Sequence, residues 1–307
     1  MAIADLAWIW IPITLWAAFA QTIRNATQRH LVAGLGTMGA TLVRFLYGLP
    51  FAIVWLLLVW GVSGEAVPGQ NGNFLFWVAE GAVAQIAATA LLLRAMAERN
   101  FALGVAYSKT EILQVALFSA VLIGDPVTLP AVIAMLVATV GVMLVSLPAG
   151  KVSLASLIAG LGSRPALLGI ASGTMFALSA VGYRGAALSL DTASPVMAAA
   201  ATLVWALAIQ TLFLGGWLLL RSAPVVVAVL KAWRLSLLAG MMGALASAGW
   251  FTAMALEPVA NVRTLGLTEL LFSLVVSQRV FRESLSRREM IGLALVLIGL
   301  VGIVRVA

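Results

Sequence analysis

Ten apolar runs, each about as long as a membrane-crossing helix, account for about two-thirds of this 307-residue chain. A helix that crosses a bilayer needs roughly 20 mostly apolar residues. The first five runs extend from about Leu6 to Ile23, Leu42 to Val62, Phe74 to Leu93, Ala102 to Ile123 and Leu129 to Leu147. The second five extend from about Pro165 to Tyr183, Val196 to Leu220, Leu235 to Leu256, Val262 to Phe281 and Met290 to Val304. The links are short and turn-rich ("GEAVPGQNGN", "GDPVTLP", "LDTASP"), which leaves no stretch for a water-soluble domain. Composition agrees. Hydrophobic residues make up 63 % and charged residues 9 %, against roughly 45–50 % and 25 % in soluble domains. So little polar surface cannot keep a folded chain in water. The expected fold class is an all-α membrane protein with ten transmembrane helices.

The charges sort by side. Arg29, His30, Arg94, Arg99, Lys151, Arg164, Arg221, Lys231, Arg234, Arg279, Arg282, Arg287 and Arg288 fall in the odd-numbered links. The other side carries Arg305, Arg263, Glu65, Asp125, Asp191 and Glu257. An excess of Lys and Arg marks the cytoplasmic face. With an even number of helices, both termini are expected in the periplasm of a bacterial inner membrane. The net charge of +7 therefore reads as membrane orientation, and no nucleic-acid partner is expected. The first run contains no basic n-region and carries Asp5, so it reads as a retained helix rather than a signal peptide.

The chain repeats itself. Adding 158 to each number from Ala90 to Val145 aligns two stretches without a gap. Thr110-Glu111 then falls on Thr268-Glu269, Ser119 on Ser277, Asp125 on Glu283 and Gly141 on Gly299. Further upstream, a shift of 160 places Arg24 on Arg184, and one more residue places Thr41-Leu42-Val43 on Thr202-Leu203-Val204. Residues 1–150 and 151–307 are thus expected to be two five-helix repeats. Five is odd, so the second copy must enter the membrane from the opposite side, an arrangement used by many secondary transporters.

Charges inside apolar runs mark candidate sites, because each costs at least ~2.5–3.5 kcal/mol at the bilayer centre on insertion scales. Glu111 lies twelve residues after Arg99, and Glu269 twelve after Glu257. At about 1.5 Å per residue, both are expected near the midplane. Lys109 joins them, although it is two residues from Glu111 and points elsewhere around the helix. Arg44 and Glu80 lie nearer helix ends and can reach the interface. Tyr107, one turn before Thr110-Glu111, and Gln85 on the third helix are further candidates, as is Thr268. Trp16 and Trp250 sit deeper than the interfacial tryptophans and are candidates for an apolar cavity wall. Runs of small residues at Gly169–Gly173, Glu80–Ala90 and Gly240–Gly249 place helices three, six and eight in the packed interior.

The run "TELLFSLVVSQRVFRESLSRREMIGLALVLIGLVGI" resembles the EamA-type domain of the drug/metabolite transporter superfamily. Glu269, Glu283, Leu285-Ser286, Gly292 and Gly299 match its pattern of helical glutamate, terminal acid, turn and glycine-bearing final helix. Glu111, Asp125 and Gly141 match in the first copy, so the resemblance covers both halves. The proline that often follows the family's helical glutamate is absent, with Ile112 and Leu270 in its place. Among subfamilies the chain looks most like the YddG-type exporters of aromatic amino acids. The resemblance implies a secondary transporter that exports amino acids or related amphipathic metabolites by alternating access. Lipophilic cations and nucleotide-sugar-like metabolites are the alternative cargo.

Other functional classes lack their residues. There is no cysteine and one histidine, His30, so no metal site or cofactor is expected. No GxxxxGK[ST] motif for ATP occurs, and no HExxH. A channel would more usually be a ring of identical segments. The expected partners are a small-molecule substrate and membrane lipid, and the chain is expected to work as a monomer, not as an enzyme.

Overall fold

The computed structural model describes residues 8–97, 107–146, 161–272 and 286–307. Asp5, Arg99, Lys151, Ser277, Arg279, Arg282, Glu283 and Leu285 lie outside them, as does the side chain of Arg29. Among the described residues all regular structure is α-helical. The helices are α1 (Trp10–Leu46), α2 (Gly48–Ser63), α3 (Gly72–Ala97), α4 (Glu111–Leu122), α5 (Leu129–Ser146), α6 (Arg164–Leu188), α7 (Pro195–Lys231), α8 (Trp233–Leu256), α9 (Val259–Leu265) and α10 (Arg287–Val306). Residues 268–272 are also helical. Seven stretches among the described residues are long and apolar enough to cross a membrane: residues His30–Ser63, α3 as far as Ala95, α5, α6, α7, α8 and α10. The chain is a multi-pass membrane protein.

Two links expected between helices are themselves helical. Residues 24–41 continue α1 and are interrupted only at Gly36, with φ 66° and ψ 175°. That backbone conformation is open to glycine and closed to residues with a Cβ. Residues 221–231 continue α7 past a kink at Ser222. The cause is Pro224, which removes one helical donor and crowds the preceding turn. A basic residue at the end of an apolar run, Arg24 or Arg221, does not end the helix, so hydropathy alone stops such helices too early. The α7 start follows a simpler rule. Ser194 accepts a hydrogen bond from Met197 N at 3.2 Å, and Pro195 occupies the first helical position. The capping box expected at α10 is present: Ser286 Oγ accepts from Glu289 N, and Glu289 Oε2 accepts from Ser286 N.

The chain forms two compact units, Met1–Val83 with Gly182–Glu257, and Ala84–Val181 with Pro258–Ala307. Each draws on both halves of the sequence. In the first unit α8 packs along α1 and α2. A Cβ on Gly249 would lie 2.9 Å from Ala17 Cβ, and one on Gly240 would lie 2.5 Å from the Tyr47 backbone. Small residues thus bring these backbones together, as in lipid-embedded helix pairs. Of the membrane-crossing stretches, α8 is the most buried at 67 % of its apolar window, followed by α6 at 56 %. The third helix, expected beside them in the interior, is buried over only 28 %, with Phe76 and Val83 exposed among its buried residues.

In the second unit α5 and α10 cross at backbone contact. A Cβ on Gly141 would lie 2.6 Å from Gly292 O and 2.7 Å from Val296 N. A Cβ on Gly299 would lie 2.7 Å from Ala134 O and 2.9 Å from Ala138 N. Subtracting 158 from Gly292, Val296 and Gly299 returns Ala134, Ala138 and Gly141. The contact is therefore reciprocal, residue for residue, at the offset of the sequence repeat. Gly141 meets Gly292 while the earlier residue Ala134 meets the later Gly299, so the two helices run antiparallel.

Candidate functional site

The fourth and ninth apolar runs, expected as single helices, are both interrupted at their Thr-Glu pairs, within the pair in the first and just before it in the second. In the first copy residues 107–108 are helical, Lys109 and Thr110 form a turn, and α4 begins at Glu111. In the second copy α9 ends at Leu265, Gly266 and Leu267 form a turn, and helix resumes at Thr268. Three-residue hydrogen bonds replace the α-helical pattern there: Thr110 N to Tyr107 O, Leu267 N to Thr264 O, Glu269 N to Gly266 O and Leu270 N to Leu267 O. No proline causes either break.

Tertiary contacts hold the first break in place. Thr110 Oγ1 donates to Tyr107 O at 2.7 Å and accepts from Gln114 Nε2 at 3.0 Å. Thr174 Oγ1 on α6 donates to Gln114 Oε1 at 2.5 Å. The α6 backbone sits directly on the turn, since a Cβ on Gly173 would lie 2.8 Å from Ser108 O. The carbonyl that a continuous helix would satisfy is thus taken up by a hydroxyl. Thr268 differs: its hydroxyl is buried without a hydrogen-bond partner among the described residues.

Antiparallel contacts join α4 to α9 at both ends. Beyond α4, Gly124 adopts a left-handed φ of 72°, and Asp125 N donates back to Ser119 O at 3.1 Å, a helix-ending turn that favours glycine. This places the buried Asp125 so that its Oδ2 accepts from Val259 N, the first residue of α9, at 3.3 Å. A carboxylate there satisfies an orphan donor and complements the helix dipole. At the other end Arg263 donates to Glu111 Oε1 through Nε at 2.9 Å and through Nη2.

A second ion pair lies beside the first. Lys109 Nζ is 3.6 Å from Glu269 Oε1, and Glu269 is also close enough to Arg263 for its charge to act on it. The first copy contributes Lys109 and Glu111, the second Arg263 and Glu269. Each glutamate is paired with a cation of the other copy, and the four side chains sum to zero charge. The two pairs differ. Glu111 is the most enclosed of the four at 10 % side-chain exposure and receives two hydrogen bonds. Lys109 and Glu269 retain 26 % and 20 % exposure at a longer distance.

The structure therefore brings Lys109, Glu111, Thr268 and Glu269 together in one unit, with Tyr107 buried at the foot of the same turn. Gln85 lies half-buried on the α3 segment of that unit, its carbonyl accepting from Thr89 Oγ1 at 2.9 Å. The two tryptophans belong to the other unit. Trp16 is 48 % exposed, with its ring centroid 6.1 Å from that of Phe19. Trp250 is buried, and its Nε1 donates to Gln21 Oε1 on α1 at 3.0 Å. Sequence reasoning did not single out Arg263, Gln114 or Thr174. Arg263 was counted with the links, though its place inside an apolar run flags it by the same rule that flagged Glu269.

Residues 163–305 match the EamA-like transporter family. The matched stretch, 143 of the 307 residues, holds Glu269, Gly292 and Gly299, and over it the chain is similar to that family. A solved structure described as "Crystal structure of protein" shares the fold, with a TM-score of 0.69 at 18 % identity over 96 % of this chain and 99 % of that one. No curated protein matches the sequence. The likeness to a transporter family agrees with the multi-pass membrane architecture.

Proposed function

We propose that the protein is a secondary transporter that exports amino acids, aromatic and other apolar ones foremost, by alternating access across a bacterial inner membrane. The observation that carries the reading is the charge-neutral quartet of Lys109, Glu111, Arg263 and Glu269, with one tight pair and one open pair. A zwitterion brings one ammonium and one carboxylate. It can replace the Lys109–Glu269 contact with two contacts of its own, carboxylate to Lys109 and ammonium to Glu269, and leave no charge unmatched. A lipophilic cation entering the same place leaves an excess positive charge, which is expensive in a low-dielectric site. The Arg263–Glu111 pair stays closed meanwhile and keeps the broken helices in register. Affinity stays modest, because substrate competes with an existing ion pair, which suits a carrier that must also release its cargo.

The reciprocal Gly141 and Gly299 contacts support the inverted repeat of residues 1–150 and 151–307 on which alternating access rests. In this reading the chain works as a monomer, as a YddG-like exporter, with both termini in the periplasm. Proteoliposomes loaded with unlabelled phenylalanine, tryptophan or threonine test it by uptake of the labelled compound. Saturable counterflow without ATP is expected, and Glu269→Gln lowers its rate at least about tenfold, equivalent to about 1.4 kcal/mol. Wild-type rates in a folded Glu269→Gln protein make Glu269 structural. Transport of lipophilic cations or sugars with none of amino acids makes the substrate class wrong.

A further inference from the structure

Glu80 stands apart from the quartet, in the other compact unit. It lies eight residues into α3, about 12 Å from its start, more than two turns inside a membrane-crossing stretch. Its Oε2 is enclosed and has no hydrogen-bond partner among the described residues. The oxygen rests in a notch formed by two glycines. A Cβ on Gly182 of α6 would overlap Glu80 Oε2, and the same Cβ would lie 3.0 Å from Gly81 N and Cα. The side chain as a whole stays half-buried, so the carboxyl group is not sealed from solvent.

Among the described residues, neither ion pair, Lys109–Glu269 nor Arg263–Glu111, involves this carboxyl group. From α6, Tyr183 and Arg184 are the titratable neighbours of Gly182 in sequence. Tyr183 Oη accepts from Gln210 Nε2 at 2.9 Å, and Arg184 donates Nη1 to the carbonyls of Met254 and Glu257. The α7 helix, which meets α3 where Trp205 stacks edge-on against Phe74, carries no charged residue between Pro195 and Leu220. Apart from Glu80, α3 has none before Arg94. A carboxylate in neither ion pair and with an enclosed, unbonded oxygen is unfavourable in its ionised form, and a membrane glutamate in that state takes up a proton instead. Glutamates retained inside membrane helices are functional by default, and the Gly81–Gly182 notch shows that two helices are shaped around this one.

We propose that Glu80 is a proton-binding site, loaded when α3 and α6 close over its carboxyl group and emptied when they part. The proton adds to the carboxylate to give the neutral acid and leaves as the notch opens to water. This couples a proton to the transport cycle, and it rests on the transporter reading above.

Two measurements test it separately from that reading. Infrared difference spectra of the full chain in nanodiscs, recorded against pH, should show the carbonyl stretch of a buried protonated acid. That band should vanish in Glu80→Gln and shift its midpoint in Glu80→Asp, which keeps the carboxyl but withdraws it from Gly182. A wild-type spectrum without the band, or a band unchanged in both variants, overturns the site. In proteoliposomes a proton gradient should drive phenylalanine accumulation by the wild type at least fivefold above equilibrium, and by Glu80→Gln not at all. Wild-type counterflow with no proton movement overturns the coupling and leaves the transporter standing. No counterflow with phenylalanine, tryptophan or threonine sinks the transporter reading instead, while the infrared band still decides whether Glu80 holds a proton.

Discussion

Lys109 on the first copy and Glu269 on the second meet at 3.6 Å, beside a tighter pair in which Arg263 grips Glu111 with two nitrogens. Neutralising one partner of the open pair leaves the other charge half-enclosed and alone. Lys109→Gln and Glu269→Gln should therefore each destabilise more than the double variant does. The double-mutant cycle should give a coupling of about 0.5–3 kcal/mol, read from unfolding in mixed micelles. A coupling of zero would mean that the two charges only happen to lie close and that each is served by solvent.

The closed pair should behave more severely. Arg263→Met strands a glutamate that is only 10 % exposed, and breaking a buried pair from one side costs about 3–5 kcal/mol. Adding Glu111→Gln to it should recover most of that loss, since the stranded charge is then gone. The same unfolding assay reads both. A double variant no more stable than Arg263→Met would show that Arg263 acts through contacts other than Glu111.

Asp125 links the end of α4 to the start of α9, its Oδ2 accepting from Val259 N at 3.3 Å. Asp125→Ala should cost about 0.5–2 kcal/mol, the usual loss for a helix-capping acceptor. Asp125→Asn keeps an acceptor oxygen and should lose less. If the two variants are equally destabilised, charge at the α9 N-terminus outweighs the hydrogen bond.

Much of this arrangement is legible in the sequence, and the illegible parts have identifiable reasons. Lipid rewards apolar length, so α3, α5, α6, α8 and α10 appear where hydropathy places them. The continuations of α1 and α7 do not, because packing between them, with Leu31, Leu35 and Val229 in one core cluster, carries the helices past their first basic residue, with Gly36 and Ser222 as interruptions. Glu111 and Glu269 stand out because a charge in an apolar run is costly and because the repeat marks both. Their partners are harder to find. Lys109 sits where the second copy has Leu267, and Arg263 where the first has Val105, so the cations break the repeat that reveals the anions. The broken helices are hidden for a different reason. No proline signals them, and what holds the first one is Gly173 on α6, distant in sequence and visible only once the chain is folded.

Orientation follows from the placement of Lys and Arg, independently of the site. A reporter active only in the periplasm, fused after Ala307, should be active, and one that needs the cytoplasm should be silent. The opposite result would mean that the basic links face outward and that the charge bias on this chain does not set its topology.

The α5–α10 crossing offers a test of the duplication itself. Gly141 approaches Gly292 O to 2.6 Å and Val296 N to 2.7 Å from its virtual Cβ, and Gly299 approaches Ala134 O and Ala138 N to 2.7 and 2.9 Å. Backbone atoms cannot swing aside as a side chain can, so an added methyl must push the helices apart. Gly141→Ala and Gly299→Ala should each cost about 1–3 kcal/mol by overpacking, and because the contact is reciprocal the two losses should be similar. Gly216 on α7 is the control, with nothing within 4 Å of its virtual Cβ. Gly216→Ala should be neutral or stabilising by up to about 1 kcal/mol, the helix-propensity gain. Unfolding of the three variants under one set of conditions decides the matter. A large loss at one of Gly141 and Gly299 with none at the other would mean that the crossing is not reciprocal, and the proposed inverted repeat would lose its support.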